Sequence, residues 1–269
     1  MKLSLCCGCL ALLGTWATPS WAEDEKAKSA ESEAPSLSSA TPFVLAVGAT
    51  HKLVIRGHHL DDLTSLRLLG GDTPLEIKGF ILPPPPGEKP TEKEKEKAKG
   101  KPAIEQSLQA EFRVPDNSPL GTNVTLVATG PKGESNSLRL YVAAKGMLID
   151  EKDPNGGFKE AQAVETGWSI AGTLSQATDV DVFKIHVKAG QSLRAELFAA
   201  QLGSNLDASL NVYHATGALL ASNDDTAGRD PALTVKCTDE SDYFIAVSSV
   251  GEIAAKSTPS YVLKVRVEP

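Results

Sequence analysis

Cysteine is scarce where it would matter. Of the four cysteines in this 269-residue chain, Cys6, Cys7 and Cys9 fall within the first 22 residues and only Cys237 lies beyond them. A single thiol closes no internal bridge, so the folded part is held by apolar cores and not by staples. A basic excess is also missing: 27 Lys+Arg face 34 Asp+Glu, a formal charge of −7, which argues against a binder of nucleic-acid phosphates. Long apolar runs are absent after the first few residues, which excludes a membrane bundle. Catalytic signatures are missing too. The sequence has no Gly-x-Ser-x-Gly elbow, no His-Glu-x-x-His pair and no Gly-rich phosphate loop ending in Gly-Lys-Ser/Thr, so no catalytic residue is assigned.

The one apolar run follows Lys2, from Leu3 to Leu13, and closes on Pro19-Ser20-Trp21-Ala22. This is the layout of a secretory signal cleaved before Glu23; it is shorter than the ~20 residues that span a bilayer. Cleavage would remove Lys2 and leave a charge of −8 with no transmembrane segment, in a secreted or periplasmic protein. A lipid-anchored Cys is disfavoured, because Cys9 lies inside the apolar stretch and not after it. Cys237 sits in Leu233-Thr-Val-Lys-Cys-Thr-Asp239, where Leu233, Val235 and Cys237 share one face; the spacing predicts a buried structural cysteine and not a nucleophile.

Two stretches lack any apolar period. Residues 23–40 read as a disordered leader, and residues 83–102, four prolines followed by alternating Glu and Lys, as a solvated loop inserted between two strands. Elsewhere apolar residues alternate. His51 to Arg56, Leu108 to Val114, Asn123 to Thr129 and Ser137 to Val142 read as strands, so residues 41–144 are expected to form an Ig-like β-sandwich. After a turn-rich boundary at Asp150-Glu-Lys-Asp-Pro-Asn-Gly-Gly157, eight more strand patterns run from Trp168 to Val267 and predict a jelly-roll-like sandwich over residues 150–269. Helix is confined to a turn or two at Phe158 to Val164 and Ala199 to Leu202. The fold class is therefore all-β, with two sandwiches.

Oxygen ligands are densest at the boundary: Asp150, Glu151, Asp153 and Asn155, then Asp179 and Asp181. Calcium takes ~6–8 hard oxygens from carboxylates, Asn and loop carbonyls, and this composition supplies them if the linker folds against the strand that follows. The plainer reading is that Asp179 and Asp181 only cap and solvate the start of that strand. The acidic loop Ser222 to Asp230 reads as a turn whose Asn and Asp accept backbone hydrogen bonds. His58 and His59 are adjacent on an extended segment and point apart, which disfavours a shared zinc ion.

Two resemblances follow. Residues 148–268 resemble the bacterial pre-peptidase C-terminal domain through Glu151-Lys-Asp-Pro-Asn155, Gly172-Thr-Leu, Asp179-Val-Asp-Val-Phe183, Lys188-Ala-Gly-Gln-Ser-Leu193, Ala221-Ser-Asn-Asp-Asp225 and Asp242-Tyr-Phe-Ile-Ala-Val247. The resemblance implies a non-catalytic jelly-roll-like module appended to secreted proteins, commonly peptidases. It also implies that some members bind calcium, on positions matching Glu151, Asp153, Asn155, Asp179 and Asp181 here. Asp153 stands where that pattern has Glu, a reach shorter by one methylene. Residues 41–143 look more loosely like an immunoglobulin-like IPT/TIG domain, through Leu53-Val-Ile-Arg-Gly-His-His-Leu60, Phe112-Arg-Val-Pro115 and Pro119-Leu-Gly121.

The sequence thus points to a secreted, non-enzymatic module that attaches to an extracellular polymer or protein partner. Two alternatives stand beside it: a calcium-stiffened spacer or accessory subunit of a secreted peptidase, and a hydrolase with a dispersed carboxylate pair.

Overall fold

The computed structural model describes residues 34–70, 75–83, 105–253 and 259–269. The signal segment, most of the leader and nearly all of the 83–102 insertion lie outside the described residues. Every regular element described is a strand except one short 3-10 turn at Ala200–Leu202, as the alternating apolar pattern requires.

The first sandwich faces two sheets on one core. One sheet contains β1 (Ser36–Thr41), β3 (Thr50–His58), β7 (Gln106–Arg113) and β6 (Phe80–Leu82), in the order β1-β3-β7-β6. The other contains β2 (Val44–Ala46), β10 (Leu138–Ala143), β8 (Gly121–Gly130), β4 (Ser65–Gly70) and β5 (Leu75–Lys78), in that order, with β9 (Gly133–Glu134) on β8. The order, including β2 running parallel to β10, is that of the immunoglobulin fold. Leu53, Ile55, Ala110 and Phe112 from the first sheet meet Leu66, Leu68, Leu126 and Leu140 from the second.

One sequence expectation is corrected here. Residues 36–40 do not belong to a disordered leader: β1 pairs antiparallel with β3 and buries Leu37 and Ala40. Its register shifts between Leu37 and Ser39. A bulge of this kind places residues three apart on one face, which hides the strand from a period-two reading.

The second sandwich is a jelly roll. Its first sheet is β11 (Leu148–Asp150), β13 (Ser169–Thr173), β20 (Ser260–Glu268), β15 (Ser192–Phe198) and β18 (Ala232–Lys236); its second is β12 (Gln162–Ala163), β14 (Val180–Val187), β19 (Ser241–Ser249), β16 (Ala208–His214) and β17 (Leu219–Asn223), both in that order. Strands β13 to β20 are thereby dealt between two four-stranded halves, with β11 and β12 added at the edges. Phe183, Ile185 and Val187 of β14 alternate inward against Leu193, Ala195 and Leu263. The helical turn expected at Phe158 to Val164 is a tight turn followed by β12, which runs parallel to β14.

The two cores are bridged by a third apolar cluster in which Val44, Tyr141 and Ala143 meet Val262, Phe198 and Ala171. The Tyr141 ring lies 5.2 Å from that of Phe198, and its hydroxyl is 3.1 Å from Ser169 Oγ. Cys237 is buried, as its strand pattern predicts.

Candidate functional site

Strand β14 carries the site by a parity argument. Side chains alternate along a strand, so Asp181 shares its face with Phe183 and Ile185 and points into the sandwich. It is 0% exposed. A carboxylate at a core position must be paired or hydrogen-bonded. Its partner comes from the last strand: the Tyr261 hydroxyl donates to Asp181 Oδ2 at 2.5 Å and approaches Glu151 Oε2 at 3.2 Å. Tyr261 lies opposite Gly172 in the β13–β20 ladder, and a Cβ on Gly172 would collide with the tyrosine ring end and with Glu151 Oε2. The glycine is therefore what lets the Tyr261 hydroxyl and the Glu151 carboxylate come together.

The linker wraps over this end. Glu151 donates its backbone N–H to Ala171 at 2.9 Å, and its Oε2 accepts the Thr173 N–H at 2.8 Å. Asn155 is 1% exposed, and its carbonyl accepts the Val182 N–H at 2.9 Å, one residue from Asp181. Ligand oxygens of Glu151, Asp153 and Asp181 all lie within 4.8 Å of one another, with Asp153 on the solvent side. Inside, Asp181 Oδ1 and both polar atoms of the Asn155 amide have no hydrogen-bond partner.

Electrostatics follow from this crowding. Burial, with the Glu151 charge beside it, pushes the Asp181 carboxyl up to about 7, although the Tyr261 O–H opposes the rise. Burial likewise raises Glu151, against the Thr173 N–H and the Asp181 and Tyr261 hydrogen bonds. Burial and the two facing carboxylates raise Tyr261 well above the ordinary tyrosine value, so its hydroxyl stays a donor. Without a cation the neighbouring carboxylates repel, which favours protonation of Asp181.

Of the five ligand positions named from sequence, the fold gathers Glu151, Asp153 and Asp181 and buries Asn155 beside them. Asp179 is placed otherwise: its Oδ2 accepts the Ser175 N–H at 2.6 Å and closes the turn before β14. Tyr261, Thr173 and Gly172 had no reading as site residues. An inward-facing tyrosine needs a buried partner for its hydroxyl, and that was the available signal. In the Ser222 to Asp230 loop, Asn223 Oδ1 accepts the Ala232 N–H, as a turn requires. Asp230, 2% exposed, accepts the N–H groups of Ala199, Ala200 and Gln201 and so fixes the 3-10 turn.

An all-β chain whose jelly roll draws carboxylates together at one end belongs to the broad class of β-sandwich modules. More particularly, residues 179–249 match the bacterial pre-peptidase C-terminal domain, a non-catalytic module often found with secreted peptidases. A probable subtilase-type serine protease of Deinococcus radiodurans is 35% identical over 115 residues, 40% of this chain and 16% of that protein. The chain therefore spans less than one-fifth of the length of that relative. Among solved structures, the pre-peptidase C-terminal domain of a Bacillus anthracis collagenase is similar at 15% identity and a TM-score of 0.31, covering 40% of this chain and 95% of that one. A periplasmic inhibitor of g-type lysozyme from Aeromonas hydrophila is similar at 16% identity and a TM-score of 0.31, over 45% and 99%. Among the described residues no helix is long and apolar enough to cross a membrane.

Proposed function

We propose that the chain is an exported, non-catalytic module that attaches to an extracellular polymer or protein partner, with its jelly roll stiffened by calcium bound at Glu151, Asp153, Asn155 and Asp181. The observation that carries this reading is the interior of the cluster. Asp181 Oδ1 is buried without a partner beside two further carboxylates, and Asn155, whose backbone carbonyl accepts the N–H of the next strand residue, Val182, buries a second unpartnered acceptor, Oδ1. A hard divalent cation supplies what such oxygens lack, and calcium accepts this many oxygen ligands in flexible geometry. Asp153 is short by one methylene against the family pattern, and its place on the solvent side allows a water to complete its reach.

The hydrolase alternative is less well supported. A glycosidase pair flanks an open cleft with carboxylates ~5–9.5 Å apart, whereas Asp181 is sealed inside the fold. The nearby recess of about 510 Å³, lined by Ile149, Asp150, Lys152, Gln162, Ala163 and Trp168, contains a single carboxylate. The Ig-like sandwich is then an IPT/TIG-like spacer, in contact with the jelly roll through the Tyr141–Phe198 cluster. Purified mature protein is expected to show no peptidase or glycosidase turnover and to melt at lower temperature in chelator. Turnover lost on a single Asp or Glu substitution would overturn the reading.

A further inference from the structure

The solvent face of the first jelly-roll sheet carries an ordered group of cations. Strand register fixes its layout: Lys264 lies opposite Glu196, Arg266 opposite Arg194, and Glu268 opposite Ser192, while β18 adds Thr234 beside Arg194 and Lys236 beside Ser192. The next row in the other direction, Val262 and Phe198, is taken up by the apolar contact with the first sandwich. Four cations and two carboxylates thus occupy three successive rows, spaced ~6.7 Å along the strands and ~5 Å across them. This concentration runs against the composition, since the chain as a whole is at −7.

The arrangement is costly by itself. Like charges directly opposite on neighbouring strands repel, and Arg194 and Arg266 share one mediator: each donates an NH2 hydrogen bond to Glu196, both at 2.7 Å. Burial pushes the Glu196 carboxyl up, and the two guanidinium groups, Arg194 foremost, more than reverse it. The Nε of each arginine is buried without a partner, while each side chain as a whole stays part-exposed, 40% for Arg194 and 38% for Arg266, so one carboxylate serves two solvent-facing guanidinium ends. Lys236 donates to the Gly190 carbonyl. Lys264 is held below the ordinary lysine value by burial and then by Arg266.

We propose that this face binds a linear, carboxylate-bearing polysaccharide, with Arg194 and Arg266 gripping carboxylates and Lys264 and Lys236 engaging the flanking repeats. This deepens the attachment reading by naming the chemistry of the polymer. Carboxylates fit guanidinium forks in bidentate fashion. Strands β15 and β20 are hydrogen-bonded on both sides, so a peptide cannot add to them as a strand. A nucleic acid carries denser charge and is opposed by the acidic remainder of the protein. The hydroxyls of Ser192 and Thr234 share the outward face with the cations and match a polymer that also carries hydroxyls.

The test is binding of polygalacturonate to the mature chain, measured in low salt with EDTA present so that calcium bridging plays no part. Saturable binding that weakens steeply with added salt is expected, with none to neutral dextran. R194Q/R266Q should weaken binding about tenfold or more, and R194K/R266K should recover only part of it. K236Q/K264Q leaves Glu196 paired and serves if the arginine variant does not fold; it too should weaken binding, whereas K184Q on the opposite sheet should not. No binding to polygalacturonate, or binding unaffected by K236Q/K264Q, overturns the proposal. Equal binding of poly-L-glutamate or of duplex DNA overturns the assignment to a polysaccharide. A melting temperature that still responds to calcium in a dialysed, EDTA-free portion of the same protein shows the calcium-stiffened module standing while this proposal fails.

Discussion

The buried Asp181 carboxyl makes the stability of the jelly roll depend on pH. Asp181 is pushed from 3.8 to about 7 in the fold, while in the unfolded chain it returns to the ordinary carboxylate value. Between those values the folded state holds a proton that the unfolded state has lost, so stability in chelator falls as pH rises from about 4 to about 7. At ~1.36 kcal/mol per pH unit, the gap of about three units amounts to ~4 kcal/mol, a loss on the order of 10 °C in melting temperature for a domain of this size. Thermal unfolding followed by circular dichroism in EDTA, at steps from pH 5 to pH 8, reads about two of those three units, ~2.7 kcal/mol. Asp181→Asn cannot ionise, so it should flatten most of the slope and melt higher than wild type at pH 8 in EDTA. With calcium the gap should narrow, because wild type gains ~2.7 kcal/mol at a hundredfold excess over Kd and the variant gains little. His186, raised above 6.5 by Asp242 and then Glu240, loses its contribution only as pH rises beyond that value, which overlaps the upper end of the series, so the comparison with Asp181→Asn is the one that isolates the site. A chelated protein with equal melting temperatures at pH 5 and pH 8, or an Asp181→Asn slope identical to wild type, would refute the reasoning.

Three further outcomes are expected. Phe183→Ala, at a position 0% exposed in the jelly-roll core, should cost ~3–5 kcal/mol in denaturant unfolding; an unchanged midpoint would mean the inward parity of β14, and with it that of Asp181, is misjudged. Gly172→Ala should push Tyr261 and Glu151 apart, lowering stability and removing the calcium response together; a variant that retains the full calcium shift would show that the glycine is not what admits the cluster. Asp230→Ala strips the acceptor from three N–H groups and should cost about 2–3 kcal/mol or more, with no change in calcium response, as chelator melts would show.

Much of the fold was legible because most of its strands obey period two. Phe183, Ile185 and Val187 against Lys184 and His186 is a pattern no helix accommodates, and the same alternation fixed β15, β16 and β20. What escaped did so for local reasons. The bulge in β1 moved Ala40 off parity with Leu37; adjacent leucines at 68 and 69 blur the alternation in β4; and β2, β9, β11 and β12 are only two or three residues long, too short for any period. The acidic linker residues and Asp181 were visible flanking a strand, but Asp181 read most plainly as a solvated cap; its shared parity with Phe183 instead turns the carboxylate inward, where it is 0% exposed. Asp179 has the same parity but precedes the strand, where a turn uses it. Tyr261 stands 110 residues from Glu151 and 80 from Asp181, so its role emerges only once β20 is laid beside β13. The Arg194–Glu196–Arg266 group likewise depends on the β15–β20 register and has no local signature.

On the proposed function, a divalent cation completes the unpartnered oxygens of Asp181 and Asn155. Isothermal titration of calcium into EDTA-stripped, dialysed protein at pH 6.0, where Asp181 still holds its proton, is the decisive experiment. One site per chain, with protons released as Asp181 gives up its hydrogen and the signal abolished by Asp181→Ala, is the predicted result. A heatless titration in which neither melting temperature nor proton release responds to calcium would contradict it.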